Sequence, residues 1–395
     1  MKINKNNIKI AVVFISLCQG LQYTVSPVLS SIQENYKNVD ISRIQMLVTA
    51  PALLSMIVAI ASGWMVLKIT KKHLVMFGAL MCGLCGFFPL FIEGFQVVFY
   101  SRILLGIGIG LVTSLNTAVV VTYFEGKERA AVLGLQGACV GIGILLATTV
   151  GGWIGSIHYE NVYYMHFLGI VSVILLAYLL PKETVPKKEI KEKIKLNVKV
   201  YYVCFLGIIE FIFLMSFTSN ISMHISGALA GDAKVAGIIT GVFSGIQIIS
   251  GLVINHIVKY TKNYTIYFAM FSYGVGCFCL VVGSGSYIFL ILAAIFCGMS
   301  QGVFVPRAMF EISSCVRPIA TAMASAVFTV SISMGQLGSA IVLGGLSNLF
   351  YGNITTNHIY WISFVGVSIF SLLCIGIHKF GVWKTVNAGS EERQV

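Results

Sequence analysis

The sequence predicts an all-α integral membrane protein with twelve transmembrane helices arranged as two six-helix bundles. The chain has 395 residues, of which 57% are hydrophobic and only 10% are charged, whereas a soluble protein averages about 25% charged residues. The apolar residues form long runs that do not alternate with polar ones, which favours helices over membrane strands. One long polar segment leaves six runs on each side. This composition excludes a soluble enzyme, a nucleic-acid binder and a disordered chain.

The length of each apolar run and the residues at its ends define the predicted helices. A helix needs about 20 apolar residues to cross the hydrocarbon core. The first run has a basic flank, as a signal peptide does, but it is too long for one and lacks a small-residue cleavage site. The predicted helices 1 to 12 cover residues 9–31, 44–67, 73–93, 95–123, 130–156, 161–180, 199–222, 233–257, 264–284, 286–312, 318–346 and 358–379.

The positive charges are concentrated in alternate loops. With the N-terminus placed inside, that side carries 21 Lys and Arg residues, and the other side carries three, Lys37, Arg43 and Lys234. By the positive-inside rule, this asymmetry predicts a multi-pass protein of the cytoplasmic (inner) membrane with both termini cytoplasmic. The net charge of +12 is therefore an orientation signal that also suits contact with anionic membrane lipids. It requires no nucleic acid as a partner.

The polar segment 181–199, rich in Lys and Glu, divides the chain into two related halves. We predict an N-terminal bundle over 1–180, a cytoplasmic linker over 181–199 and a C-terminal bundle over 200–395. The halves echo each other, since Gly151-Gly152 in helix 5 corresponds to Gly344-Gly345 in helix 11. Two parallel repeats of six helices are typical of transporters, with the binding site at the interface of the halves.

Away from the ends of the predicted helices, four acidic or basic residues fall within them: Arg102, Glu210, Arg307 and Glu311. A lipid-facing charge costs about 2.5–3.5 kcal/mol, so each is expected to face a cavity or a partner. Glu210 lies about 16 Å into helix 7, near the midplane. A buried carboxyl group there can bind and release a proton, and a structural hydrogen bond is the alternative. Arg307 and Glu311 share one face of helix 10, as an internal salt bridge or as a gate or substrate contact.

Three segments carry glycines at characteristic spacings. Residues 63–72 read Gly-Trp-Met-Val-Leu-Lys-Ile-Thr-Lys-Lys, residues 102–110 read Arg-Ile-Leu-Leu-Gly-Ile-Gly-Ile-Gly, and residues 143–152 read Gly-Ile-Leu-Leu-Ala-Thr-Thr-Val-Gly-Gly. With these segments the sequence resembles transporters of the major facilitator superfamily over essentially its whole length, and its motifs are nearest to those of the drug:proton antiporter branch. The resemblance implies the major facilitator fold, in which helices 1, 4, 7 and 10 face a central cavity.

The first segment is similar to the family's G-x-L-a-D-R-x-G-R-K loop between helices 2 and 3. Gly63, Lys68, Lys71 and Lys72 match, whereas Leu67 stands at the Asp position and Thr70 at the second Gly position. In the family, a charge relay holds this loop and stabilises the outward-open state. The matching residues are therefore candidates for conformational control.

The second segment resembles the family's R-x-x-x-G-x-G pattern through Arg102, Gly106, Gly108 and Gly110. In the family, this arginine is associated with proton coupling or substrate contact. Glycines at this spacing also let neighbouring helix backbones approach closely, so ordinary packing is the alternative.

The third segment is similar to the antiporter signature G-x-x-x-G-P-x-x-G-G. Gly143, Gly151 and Gly152 match, while Ala147 stands where glycine is usual and Thr148 where proline is usual. The resemblance implies an antiporter more than a sugar symporter, and close helix packing is again the alternative.

Helix 1 carries a polar stripe at helical spacing, formed by Gln19, Gln22, Tyr23 and Ser26. We expect this stripe to face the central cavity that the resemblance implies. For each further polar residue within the helices, an interhelical hydrogen bond is the alternative to substrate contact. The remaining candidates for the cavity are Asn116, Gln136, Asn220, Gln247, Gln301, Arg307, Glu311 and Gln336.

The sequence lacks a G-x-x-x-x-G-K-[ST] motif, so ATP hydrolysis at such a site is not expected. No cofactor and no metal site are expected either. The leading prediction is a monomeric secondary transporter, not an enzyme, that moves a small organic solute by alternating access, as proton-coupled efflux with Glu210 as the protonation site and Arg102 as its modulator. The alternative is uptake or exchange of an organic anion bound by Arg102 and Arg307. A transporter-like sensor or membrane enzyme is a third reading, which no appended polar domain or catalytic cluster supports.

Overall fold

The computed structural model describes residues 4–181, 196–229, 231–316 and 321–379. Most of the predicted linker, residues 182–195, lies outside the described residues. Within the described ranges the chain is helical and contains no β-strand. Twelve helices there are long and apolar enough to cross a membrane, and the predicted fold class is confirmed.

The spans agree with the predicted helices in number and order. The main differences are that the seventh span extends to Leu229 and that the ninth begins at Ile254. We number the spans α1 to α12; they cover Lys5–Asn35, Ile41–Met65, Lys71–Phe91, Phe95–Tyr123, Ala131–Gly155, Tyr159–Leu179, Val198–Leu229, Ala233–Leu252, Ile254–Val282, Tyr287–Ser314, Met323–Tyr351 and Thr356–Ile377. We call the side of the molecule at Lys5 the N face and the other side the far face.

The early start of α9 has a simple cause. Its first segment, Ile254–Thr261, is a separate short helix that precedes the main helix Thr265–Val282. Ile254, Ile257 and Val258 are half-buried, whereas the intervening polar residues are exposed. This i, i+3, i+4 spacing gives the segment one apolar face. The sequence-based prediction instead assigns residues 254–257 to the end of helix 8 and the following residues, which include Lys259, to a loop.

Helix α1 is not continuous. It is α-helical over Lys5–Gln19, turns into 3-10 helix over Gly20–Tyr23 and again over Ser26–Val28, and resumes over Leu29–Asn35. Gly20 at the break packs directly on Gly143 of α5, leaving no room for a Cβ atom. Pro27 contributes to the break because it lacks a backbone N–H.

The two bundles repeat one packing scheme. Gly106 and Gly110 of α4 lie against the backbone of α2, at Pro51 and Ser55. Residues 192 positions later (106 to 298, 110 to 302) make the same contacts, since Gly298 and Gly302 of α10 lie against the α8 backbone at Phe243 and Gln247. Glycine is needed at each point because a Cβ atom would meet a backbone carbonyl oxygen at 2.1–2.7 Å.

The same spacing relates the interface between the bundles. Gly152 of α5 packs on Gly237 of α8, and Gly344 of α11, 192 residues later, packs on Ser42 of α2. Span α5 therefore faces α8, and α11 faces α2, around a pseudo-twofold arrangement. Of the glycine pairs that the sequence suggested as an internal echo, one member of each, Gly152 and Gly344, thus lies at this interface.

Candidate functional site

Glu210 is a fully buried carboxyl group in the middle of α7. Its side chain is 0% exposed, and Ser300 of α10 donates a hydrogen bond from Oγ to its Oε1 at 2.6 Å. The second oxygen, Oε2, is buried and has no hydrogen-bond partner among the described residues. Glu210 is thus a buried acid that has one hydroxyl donor and, within the described ranges, no counter-cation. This arrangement is costly for a permanent charge.

Gln19 occupies the position in α1 that Glu210 occupies in α7. In the N-terminal bundle Gly143 packs on the carbonyl of Leu17, and in the C-terminal bundle Gly335 packs on the carbonyl of Ile208. Gln19 and Glu210 each lie two residues beyond these carbonyls. The amide Nε2 of Gln19 is buried without a partner, as is Oε2 of Glu210. The repeat therefore places one long side chain with an unpartnered polar atom at the same level of each bundle.

Arg102 of α4 is 1% exposed and donates only to acceptors of its own bundle. Its Nε donates to the carbonyl of Leu47 at 3.0 Å, and its terminal nitrogens donate to the carbonyl of Gln22 and to Thr24 Oγ1. Pro51 has no N–H for the carbonyl four residues before it, which is that of Leu47. The span α2 consists of two helices, Ile41–Thr49 and Pro51–Met65. Arg102 therefore satisfies backbone groups at the break of α1 and at this break of α2.

Thr24 extends this network to two further spans. Its Oγ1 lies 3.2 Å from Nε2 of His166 on α6, and Nδ1 of His166 lies 2.8 Å from the carbonyl of Cys82 on α3. Because a carbonyl can only accept, Nδ1 carries the proton in this contact. Thr24 and His166 were not predicted as site residues from the sequence, since no local pattern links residues on α1, α3, α4 and α6.

Arg307 and Glu311 form an ion pair within α10. Nε of Arg307 donates to Oε1 of Glu311 at 3.0 Å, and the guanidinium lies 5.3 Å from the ring centre of Phe310. Of the two interpretations that the sequence left open, this geometry matches the internal salt bridge.

The other polar candidates divide into two groups. In the first, within one bundle, Asn116 donates to Ser16 Oγ at 2.8 Å and Gln136 donates to Thr117 Oγ1 at 3.1 Å. The side-chain oxygens of these two residues and of Gln247 are buried without a partner among the described residues. Gln301 on α10 is 7% exposed.

The second group joins the two bundles. Gln22 and Gln336 meet at 3.5 Å, Ser26 donates to the carbonyl of Thr218, and Asn220 Oδ1 accepts from Gln45 at 2.6 Å. Tyr23, beside them on α1, is buried in the apolar core. These contacts lie from the middle of the spans towards the far face.

Ser30 and Ser222 complete this contact nearest the far face. Their Oγ atoms are 2.9 Å apart, Ser30 N donates to Ser222 Oγ, and Ser222 donates to the carbonyl of Pro27 at 2.8 Å. We call the cross-bundle hydrogen bonds of Gln22, Ser26, Ser30 and Gln45 the far-face seam. Ser30 continues the polar stripe of α1 by one turn beyond Ser26, which was the sequence signal that could have identified it.

The glycines of α5 pack in two directions. Gly151 faces Val162 and Thr24 within the N-terminal bundle, whereas Gly152 faces α8. Thr149 donates to the carbonyl of Gly237 at 3.3 Å across the bundles. Thr148, at the position where proline is usual in the family, donates to its own helix at the carbonyl of Ile144.

The basic loop between α2 and α3 is bound to the N-terminal bundle. Lys72 donates to the carbonyls of Ala177 and Leu180 at 2.5 and 2.6 Å, which caps the end of α6. Lys71 donates to Thr122 of α4 at 2.9 Å. Lys68 follows Leu67, which is 46% exposed, and a Cβ on Gly63 would meet no neighbour.

A separate ion-pair cluster at the N face is formed by Glu128, which lies outside the loop between α2 and α3. Glu128 contacts Lys5 at 2.7 Å and Lys9 at 3.0 Å, and hydrogen bonds from these two ammonium groups lower the pKa of its carboxyl group. This contact joins α1 to the turn before α5, so it lies within one bundle.

The fold and the buried polar residues define a multi-pass membrane protein of two related bundles that meet around polar residues. Residues 12–201 match the model of the Major Facilitator Superfamily. This match covers just under half of the chain and agrees with the resemblance to the major facilitator superfamily that the sequence motifs indicate. Because this is a superfamily of transporters, the prediction that the chain is not an enzyme is confirmed.

Curated relatives match part of the chain. The quinolone resistance protein NorA of Staphylococcus aureus (strain MRSA252) is 26% identical over 167 residues, which are 40% of this chain and 43% of NorA. The multidrug transporter protein MdtP of Bacillus subtilis (strain 168) is 36% identical over 78 residues, which are 19% of this chain and 14% of MdtP. The match thus spans less than half of the length of these relatives.

Solved structures match nearly all of this chain. The nucleoside transporter NupG has a TM-score of 0.75 at 14% identity, and the match covers 93% of this chain and 98% of NupG. The peptide transporter POT has a TM-score of 0.76 at 14% identity over 94% of both chains. The D-xylose-proton symporter has a TM-score of 0.70 at 16% identity, over 92% of this chain and 96% of the symporter. At these identities the likeness shows the fold.

Proposed function

We propose that the chain is a proton-coupled secondary transporter that exports a small organic compound by alternating access of its two bundles. The main support for this proposal is the environment of Glu210. Its carboxyl group is fully buried at mid-span, has one donor in Ser300 and has no cation beside it in the part of the chain that the structure describes. Such a group is stable when it holds a proton and costly when it does not. A change in access to water therefore changes its proton occupancy, which is the property that coupling requires.

The proposed direction of transport is inferred from the curated relatives. The names of NorA and MdtP describe a quinolone resistance protein and a multidrug transporter, which favours efflux. The structural neighbours include a proton symporter as well, so the shared fold serves both directions.

The arrangement gives less support to uptake of an organic anion. Each nitrogen of the Arg102 guanidinium already donates to an acceptor in its own bundle, and Arg307 is neutralised by Glu311. A carboxylate substrate would have to displace these contacts. In this proposal Arg102 modulates coupling indirectly, by fixing the break in α1 above Gln19.

The proposed orientation places the N face in the cytoplasm of the cell, because 21 of the Lys and Arg residues fall on that side. The far-face seam then closes the pathway towards the outside. A single chain contains both bundles and hence the complete pathway, so the proposed working unit is a monomer.

The test is substrate-dependent proton movement in vesicles containing the purified chain, with ethidium and a fluorescent quinolone as probes. We expect Glu210→Gln to abolish proton-driven transport while substrate exchange at equal pH continues. The matched control is Glu93→Gln, which changes an exposed acid between α3 and α4 and is expected to retain coupling. Full proton-driven transport by Glu210→Gln would overturn the proposal.

A second variant tests the equivalence of the bundles. In Gln19→Glu/Glu210→Gln the acid moves to the repeat-related position of α1. We expect this exchange to restore measurable substrate-dependent proton movement relative to Glu210→Gln alone, because the acid again lies at mid-span.

A further inference from the structure

The interior of the C-terminal bundle contains a column of buried polar side chains that belongs neither to the far-face seam nor to the interface between the bundles. It lies on α7, α9, α10 and α12. Apolar side chains would fill a bundle core at lower cost, since every buried polar group must find a partner. The column therefore requires an explanation other than packing.

The end of the column nearest the far face is formed by His224 and Tyr360. Thr356, the first residue of α12, lies 3.2 Å from His224 Nδ1, and the His224 ring meets Tyr360 edge to face at 5.2 Å. His224 is 3% exposed and Tyr360 is 0% exposed. His224 Nε2 and the Tyr360 hydroxyl are both buried without a hydrogen-bond partner among the described residues.

The middle of the column is a closed hydrogen-bond cluster. Ser363, one turn after Tyr360 on α12, lies 3.2 Å from Ser216 Oγ of α7. Ser216 lies 2.8 Å from the hydroxyl of Tyr273 on α9, which donates in turn to the carbonyl of Phe213 at 2.7 Å. The three side chains are 0–1% exposed.

The last step reaches Glu210. The Cys297 thiol of α10 is fully buried, and its sulfur packs against Gly276 of α9, three residues after Tyr273. Ser300, three residues later on the same helix, donates to Glu210. From His224 to Glu210 the column follows 14 residues of α7, which is about 21 Å along the helix axis.

From these contacts we infer that the column is a proton route between the far face and Glu210, with water as the ligand of its unpartnered atoms. This inference rests on the proposed function of Glu210. Hydroxyl and imidazole groups both donate and accept, so a proton can pass along them by exchange of hydrogen bonds. His224 Nε2 and the Tyr360 hydroxyl are the natural positions for bridging water, because a buried polar atom without a protein partner is commonly satisfied in this way.

The same two atoms interrupt the column in the present conformation. A continuous route from the far face would let protons leak while the pathway opens at the N face. The direct hydrogen bonds stop between His224 and Ser363, and they stop again between Tyr273 and Glu210. Transfer therefore requires bridging water or a rearrangement of α7 against α9 and α12, which links proton access to the conformational change.

Tyr360→Phe tests the inference with little disturbance, because it removes one oxygen atom that has no hydrogen-bond partner among the described residues. The matched control is Tyr163→Phe. Tyr163 lies four residues into α6, as Tyr360 does in α12, and its hydroxyl is also buried without a partner. Both variants are measured in vesicles for substrate-driven proton flux and for ethidium exchange at equal pH.

We expect Tyr360→Phe to slow the proton flux at least about tenfold, in line with the loss of a proton-transfer group, while exchange and the Tyr163→Phe variant stay within about twofold of the parent. His224→Phe is expected to act in the same direction. Unchanged proton flux in both Tyr360→Phe and His224→Phe, with Glu210→Gln inactive, would overturn the route and leave the proposed function intact. Normal coupling in Glu210→Gln would instead overturn both.

Discussion

At the scale of single residues, Arg102 shows how a charge can be buried without an acid beside it. Its guanidinium fills acceptor sites that the backbone itself leaves open, at the 3-10 break of α1 and before Pro51 in α2. The sequence identified Arg102 as one of four charges in the membrane, and this could be read because charge is rare in an apolar helix. The sequence could not predict the hydrogen-bond acceptors of Arg102. Most of them are main-chain carbonyls, and these are available only because the helices break at other points of the chain.

This account of Arg102 predicts an energetic coupling to Pro51. We expect Arg102→Met to destabilise the protein by about 3 kcal/mol or more, because hydrogen bonds from a charged donor are lost and carbonyls stay buried. Pro51→Ala in that background should recover about 1 kcal/mol, since alanine provides an N–H for the Leu47 carbonyl. Thermal unfolding in detergent measures both.

The control is Pro51→Ala alone, which is expected to gain less because Arg102 already occupies the carbonyl of Leu47. Equal gains from Pro51→Ala in both backgrounds would contradict the coupling.

At the scale of the helices, some glycines lie directly against the backbone of a neighbouring helix and others have no such neighbour. Gly106 and Gly298 meet the carbonyl oxygens of Pro51 and Phe243, whereas a Cβ on Gly137 would find no neighbour within 4 Å. The sequence motif predicted close packing at Gly106 correctly. It could not separate the two classes in general, because glycine spacing does not state which face of a helix meets another helix.

We expect Gly106→Ala and Gly298→Ala each to cost about 1–3 kcal/mol, because the helices must move apart to admit the methyl group. Gly137→Ala is the control on a neighbouring helix, and its added Cβ is expected to leave stability unchanged or slightly raised. The yield of folded protein and the unfolding temperature report the difference. A loss in Gly137→Ala as large as that in Gly298→Ala would refute the explanation by close approach.

At the scale of the whole molecule, the far-face seam holds the two bundles together by neutral hydrogen bonds. Serine and amide groups exchange such bonds with water at little net cost, which suits a contact that must open and close. By contrast, the charged contacts of Lys5 and Lys9 with Glu128 lie within the N-terminal bundle.

The seam predicts that a covalent link across it stops transport. In Ser30→Cys/Ser222→Cys the sulfur atoms replace hydroxyls that are 2.9 Å apart, so mild oxidation should form a disulfide. We expect transport of ethidium to fall to background after oxidation and to return after reduction.

The single variants Ser30→Cys and Ser222→Cys serve as controls and are expected to keep transport under both conditions. Undiminished transport by the fully cross-linked double variant would show that the seam does not need to open.

The sequence by itself determined the twelve spans, their order, the division into two related halves and the presence of a lone acid in α7. These follow from local composition, because the cost of burying charge in a membrane is visible residue by residue. Only the tertiary structure decided what each polar residue touches: Ser300 at Glu210, backbone carbonyls at Arg102, Ser222 at Ser30, and the buried column of His224 and Tyr360. These partners lie on helices far apart in the chain, and their contacts arise only when the helices pack, so no local pattern encodes them.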